Sequence, residues 1–230
     1  MPLLGEGVMV AMYDVPAGWR YRHDDWHAHE HMLERVSIPG FLRGRRYVND
    51  AASRRCFVMY EVDSLATQVS PPYLERLNNP TPWTRRVMPA MVDMCRTLTT
   101  VRRSVGDGIG GVMSVTEFDL GSLDAQGRDT RLATLAERLD GIDVRGGLLA
   151  AHLLVGDDDL SATPTEEKAI RGTQDDVADA LLLIEAYERE ALHGEIEILV
   201  DQAGWSEIPI VRTAEYRLSL IHISEPTRLT

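Results

Sequence analysis

From Gly7 to Val15 the chain reads GVMVAMYDV, and both alternating sets of side chains, Val8, Val10 and Met12 against Met9, Ala11 and Tyr13, are apolar. A run of that length and character predicts a strand buried on both faces. Pro16 and Gly18 interrupt it. The next stretch, WRYRHDDWHAHEHMLERVSI from Trp19 to Ile38, predicts a helix stopped by Pro39-Gly40. FLRGRRYVND (Phe41–Asp50) and RRCFVMYEVD (Arg54–Asp63) read as two strands joined in hairpin fashion. Two helical pieces follow, PPYLERLNN (Pro71–Asn79) and TPWTRRVMPAMVDM (Thr81–Met94). Thr81 suits the cap of the second, with Pro82 at its first helical position. CRTLTTVRRSV (Cys95–Val105) supplies a fourth strand and completes a β-α-β-β-α-β order.

The remainder repeats the plan. GIGGVMSVTEFDL (Gly108–Leu120) is a strand, RDTRLATLAERLDG (Arg128–Gly141) a helix and RGGLLAAHLLVG (Arg145–Gly156) a strand. After an acidic loop, Asp157–Asp176, come the strand ALLLIEAYE (Ala180–Glu188), the helix REALHGEIEILVDQAG (Arg189–Gly204) and the strand IPIVRTAEYR (Ile208–Arg217). Each half is thus a ferredoxin-like unit. A single such sheet with helices on one side has a wet face, whereas GVMVAMYDV is apolar on both. The sheet of the other repeat is the simplest cover. The expected fold is therefore α+β, two tandem ferredoxin-like (βαββαβ) repeats over residues 1–105 and 106–217, packed as one α+β barrel. That makes the chain a monomer with an internal pseudo-dimer, or a homodimer.

The last residues, LSLIHISEPTR from Leu218 to Arg228, resemble the in-frame translation of a sequencing-library adaptor. Residues 218–230 are accordingly expected to be a non-native tail.

Composition narrows the function. With 44% hydrophobic and 26% charged residues, the chain is an ordinary globular protein. No apolar run approaches a membrane span and the N-terminus lacks a signal pattern, so a cytoplasmic location is expected. Cys56 and Cys95 are too few for a disulfide framework and lack metal-ligand spacing. In a ferredoxin-like sheet their two strands are also separated by the first. Residues 1–105 carry 14 Arg against 11 Asp and Glu; the rest carries 10 Lys and Arg against 25 acidic residues, within a total of −12. An acidic chain without a basic stripe excludes nucleic acid as a partner, while the mildly basic first half suits a small anionic ligand.

Candidate chemistry concentrates on the first helix. At about 100° per residue, His23, Trp26, His27, Glu30, His31 and Glu34 share one face, and Asp25, His29, Met32, Leu33 and Val36 the other. The second set is expected to lean on the sheet, leaving His23 and His27 solvated. His27-Ala28-His29-Glu30-His31 fits the H-x-x-E-H of one class of zinc peptidase, but no downstream Glu motif supplies a third ligand, and no metal is expected. Asp25 and His29, one turn apart, pair as carboxylate and imidazole, an arrangement that raises basicity. Arg43 and Arg45 project to one side of their strand with Phe41 and Tyr47, where they suit a substrate carboxylate or enolate. An ordinary packing role fits these pairs equally well.

The stretch W-H-x-x-E-H-M-x-E-R-x-x-I-P-G-F-L-R-G-R-R-Y, with YLERLNNPTPWTRRVM downstream, resembles the EthD-like, dimeric α+β barrel proteins, in particular an uncharacterised bacterial branch. The resemblance covers residues 7–105 and departs from the family at Leu33, where proline is frequent. It implies a cavity between the sheet and the first helices for a small organic molecule, with Trp26, Glu30, His31, Arg35, Arg43, Arg46 and Tyr47 matching the family pattern. The expectation is an enzyme using His29 or His31 as general acid/base, with Glu30 and Asp25 beside them. Trp26 and Tyr47 would serve as ligand contacts, and Arg43, Arg45 or Arg46 would meet negative charge. No dinucleotide, phosphate-loop or flavin motif is present, so no cofactor is expected. The alternatives are a non-catalytic ligand-binding protein of the same fold and a haem barrel using His152 or His193.

Overall fold

The computed structural model describes residues 3–193 and 209–224. In chain order these form β1 (Gly7–Asp14), α1 (Arg20–Trp26), a π-helical turn (His27–His31), α2 (Met32–Val36), β2 (Phe41–Val48) and β3 (Cys56–Val62). Then come α3 (Pro71–Asn78), α4 (Pro82–Val87), β4 (Val92–Gly106), β5 (Val112–Phe118), α5 (Ala125–Asp140) and β6 (Leu148–Gly156). The chain continues through α6 (Asp158–Ser161), α7 (Glu166–Arg171), β7 (Ala180–Ala186) and β8 (Ile210–Ile223). The expected helix Arg189–Gly204 lies mostly outside the described residues; 189–193 are helical.

The eight strands close into one antiparallel barrel in the order β1-β3-β2-β8-β5-β7-β6-β4. Each repeat contributes a ferredoxin-like sheet, β2-β3-β1-β4 and β8-β5-β7-β6. The seams are β4 with β6 and β2 with β8. This explains the doubly apolar first strand. Val8, Val10 and Met12 face the barrel interior with Phe57, Met59, Met113, Leu181 and Leu183. Met9, Ala11 and Tyr13 face outward beneath the first repeat's helices. A third cluster, under α5, fills the outer face of the second repeat. Among the described residues, no helix is long and apolar enough to cross a membrane.

Local chemistry accounts for most boundaries. The Thr81 hydroxyl accepts from the Thr84 amide at 3.0 Å and Pro82 opens α4. That helix is shorter than the spacing predicts, because the chain passes through a 3-10 turn at Met88–Ala90 and enters β4 at Val92. Gly44 admits the histidine helix: a Cβ there would stand 3.0 Å from the Tyr60 ring and 3.1 Å from Met32. Cys56 and Cys95 are free and buried. They flank β1 on opposite sides, opposite Tyr13 and Met12. Their side chains also serve different clusters, one outside the barrel and one inside.

Residues 218–223, which resemble adaptor sequence, lie in β8 and pair with β2 from Tyr47↔Leu218 to Arg43↔Ile223. The acidic loop after β6 is not bare either. Asp157 and Thr165 cap α6 and α7, and the second of these helices folds across onto the first repeat.

Candidate functional site

The structure keeps Met32 and Val36 on the sheet side of the first helix but reverses the assignment of the histidines, Trp26, Asp25 and Leu33. His23, Trp26, His27, His31, Met32, Arg35 and Val36 are buried, while Leu33 is 44% exposed. His29 and Asp25 stand on the solvent side, their side chains 72% and 46% exposed, in a loose pair at 3.6 Å. The cause is twofold. Polar side chains occupy the buried face, so a polarity wheel points the wrong way. In addition, the Met32 amide bonds to the His27 carbonyl, five residues back. The extra residue in that turn rotates everything downstream relative to a straight α-helix, and such turns recur at functional sites.

The buried face carries a column of imidazoles. The His23 and His27 rings lie 5.6 Å apart, His27 and His31 5.5 Å, and Trp26 stacks on His31 at 4.4 Å. Glu30 stands beside the column and acts as a clasp. Its carboxylate accepts from Trp26 Nε1 at 3.2 Å, Thr81 Oγ1 at 2.6 Å and Thr84 Oγ1 at 3.2 Å, tying the helix to α4.

Beneath the column lies a cavity floored by Met9, Ala11 and Tyr13 of β1 and Val58 and Tyr60 of β3. Its walls are His27, His31 and Arg35, with Tyr73, Leu77, Met88, Met91, Met94 and Arg96. Glu167 and Arg171 of α7 close one side. The cavity itself is about 40 Å³, well below the roughly 300–1,000 Å³ of small-molecule pockets, so a ligand enters only if side chains of the wall shift. Methionine makes much of the wall adaptable and favours contact with flat rings.

Five buried polar atoms of the lining residues have no hydrogen-bond partner: His27 Nδ1, His31 Nδ1, Arg35 Nη1, Tyr60 Oη and Arg171 Nε. Buried polar groups are normally satisfied. Burial depresses both imidazoles well below their ordinary value, and nearby Arg46 and Arg35 add to the effect, so His27 and His31 are neutral at physiological pH. Burial likewise pushes the Tyr60 phenol up and keeps it protonated. Burial opposes the charge on Arg35, but Glu167, at 2.5 Å, outweighs it. The site therefore offers two neutral imidazoles, a hydroxyl and a fixed cation in an apolar hollow.

The other residues singled out by sequence divide between two places. Arg43, Arg45 and Tyr47 point away from the histidines into the barrel. There Arg43 grips Glu61 through two bonds of 2.7 Å. Arg45 joins Glu61 at 3.1 Å to Glu185 at 2.8 Å, and the Tyr47 hydroxyl donates to Glu185 at 3.2 Å. They form a buried ionic core and do not share the cavity with His31. Arg46 points outward to Asp24 and Ser219. His152 belongs to the ionic core, bonded through Nε2 to Glu185 at 3.1 Å and through Nδ1 to Ser104 at 3.0 Å. His193 is an exposed partner of Glu215. Among the described residues, no group of three or more His, Cys, Asp or Glu is placed to hold a metal ion.

Sequence reasoning missed Tyr13, His23, His27, Tyr60 and the α7 pair. One signal was available, the i, i+4, i+8 spacing of His23, His27 and His31, which marks a single helix face.

No family model and no curated protein sequence matches the chain. Solved structures do share its fold. An anthrone oxidase-like protein aligns at a TM-score of 0.61 and 10% identity, over 96% of this chain and 93% of that one. A proposed monooxygenase from Lactobacillus acidophilus aligns at 0.55 and 8% identity, over 96% and 97%. A heme-binding protein from Thermus thermophilus aligns at 0.55 and 9% identity, over 93% and 91%. At these identities the likeness is one of fold, the ferredoxin-like α+β barrel.

Proposed function

We infer that the chain is a small-molecule enzyme of the EthD-like α+β barrel class, working in the cytoplasm on an aromatic, phenolic or acyl substrate. The observation that carries this reading is the presence of five unpartnered buried polar atoms, on His27, His31, Arg35, Tyr60 and Arg171, among the residues that line one cavity. Such atoms cost stability unless a ligand or water satisfies them. The apolar, methionine-rich wall suits a flat hydrophobic body. The neutral imidazoles suit hydrogen bonds to its polar groups, and Arg35 suits negative charge that develops on it. The name borne by one protein of the same fold, an anthrone oxidase-like protein, agrees with an aromatic substrate.

The test is native mass spectrometry after incubation with phenols, aromatic acids and acyl compounds. A retained ligand with a mass-shifted product supports catalysis, and replacing His27 or His31 by Gln is expected to abolish the product. Retained but unaltered ligand supports the second reading, a non-catalytic binding protein using the same cavity. No retention by any member of the panel overturns both. Haem does not fit at His152, whose two ring nitrogens are already bonded, nor at the exposed His193.

A further inference from the structure

At one end of the cavity the Tyr13 hydroxyl lies 2.9 Å from His23 Nε2, and His23 Nδ1 lies 3.0 Å from Asp24 Oδ1. Arg55 holds the Asp24 carboxylate through bonds of 3.0 and 3.2 Å, with Arg46 3.4 Å away. We propose that Tyr13, His23 and Asp24 form an acid–base unit that takes a proton from the substrate, and that the substrate presents an ionisable hydroxyl, phenolic or enolic, to Tyr13. The proposal rests on the reading of the cavity as a small-molecule site.

The hydrogen-bond directions follow from charge. Asp24, flanked by two guanidinium groups, is a carboxylate and accepts only. His23 Nδ1 must therefore carry the ring proton, which leaves Nε2 an acceptor for the Tyr13 O–H. The Tyr13 oxygen keeps its lone pairs for a donor in the cavity, whose floor Tyr13 lines. In the step, the substrate O–H bond breaks and its proton passes to Tyr13 Oη while the Tyr13 proton passes to His23 Nε2. The substrate becomes an oxyanion and His23 an imidazolium, stabilised by Asp24, which stays ionised. Return of the proton along the same path completes the cycle.

The groups facing His23 are Asp24 and His27 from its own helix, Arg46 from β2 and Arg55 before β3, while Cys56 and Tyr60 of β3 face Tyr13. Burial and the two guanidinium groups hold the resting imidazole neutral, and Asp24 is the group that favours its charged form. His23 and Tyr13 are sealed from water, whereas the Asp24 side chain is partly exposed, so only the charged end of the unit meets solvent.

The probe is p-nitrophenol, which absorbs visible light only as the phenolate. Wild-type protein is expected to lower the pKa of the bound phenol by about one unit or more. Tyr13→Phe, His23→Gln and Asp24→Asn should each abolish the shift, and His23→Gln and Asp24→Asn, which do not touch the phenol, should change affinity for its neutral form by less than about threefold. Bound phenol with no shift, or a shift that survives these substitutions, overturns the acid–base unit and leaves the cavity standing. Absence of phenol binding overturns the phenolic substrate and the unit with it. Nitrogen-15 NMR of the unliganded wild type adds an arm that needs no variant. The His23 ring must be the neutral Nδ1–H tautomer, and an Nε2–H tautomer overturns the proposal.

Discussion

Arg35 and Glu167, 132 positions apart, meet in a buried ion pair that fastens the histidine helix to the loop of the other repeat. Both side chains are nearly inaccessible, and Arg35 also lies over the Tyr73 ring. Removing one partner strands the other charge in a low-dielectric site. Glu167→Gln is expected to cost about 3–5 kcal/mol in urea unfolding. The paired change Arg35→Met with Glu167→Leu should cost clearly less, because no charge is left unpaired. Equal losses in the two proteins would show that the pair is not desolvated as the structure has it.

Acid should destabilise the protein through His27 and His31. Both are held neutral in the fold, with pKa values well below the ordinary 6.5. Below that pH the unfolded chain takes up protons that the folded chain refuses. Stability is thus intact above about pH 6.5 and falls as pH drops beneath it, by up to about 1.4 kcal/mol per pH unit for each histidine. Urea midpoints at pH 7.5, 6.5 and 5.5 read this directly. His31→Phe should flatten the slope, and an unchanged slope would place His31 in water.

A second acid limb belongs to the barrel interior. Burial works to raise the Glu185 carboxyl, but Arg45 and His152 overcome it and hold it down to about 2. A depressed carboxylate stabilises the fold above its unfolded pKa and loses that contribution as pH falls from about 4.5 towards 2. The contribution is on the order of 3 kcal/mol. Glu185→Gln should therefore be less stable than wild type at pH 7, and the gap should narrow through that window. A constant gap would remove the linkage.

These buried charges show what the sequence could and could not convey. Strand order, repeat plan and barrel were legible, because GVMVAMYDV is apolar on both faces and each half repeats the same element order. The site was harder. Its helix buries three histidines and an arginine against the sheet and turns Leu33 to solvent, so polarity misassigned the faces. The π-helical turn compounded the error, and only tertiary packing reveals it. Arg43 and Arg45 were read correctly as sharing a side, but which side depended on barrel closure. The strand after Arg217 illustrates the opposite case. Edge pairing uses main-chain groups, so LSLIHI needs only extended backbone and β-prone residues to close against β2.

His29 offers a sharp contrast with its neighbours. Its ring is exposed and its pairing with Asp25 is loose. His29→Ala is expected to change stability by less than about 0.5 kcal/mol and to leave ligand retention unaltered, whereas His31→Ala should weaken both. Loss of ligand in His29→Ala would move the site to the solvent face of the helix.

The barrel itself makes a further demand on the first repeat. Residues 1–105 alone would expose Val8, Val10, Met12, Phe57 and Met59, which now face the interior. They would also lose the partners of both edge strands, β8 for β2 and β6 for β4. Arg45 would lose Glu185 and keep only Glu61 as an acidic partner. An apolar sheet face with two open edges is a template for association. A second copy presents the same edges and the same face, so the fragment should form a homodimer or aggregate. Analytical ultracentrifugation across a concentration series decides the matter. A soluble, folded monomer at every concentration would mean that the first sheet does not need the second repeat to cover it.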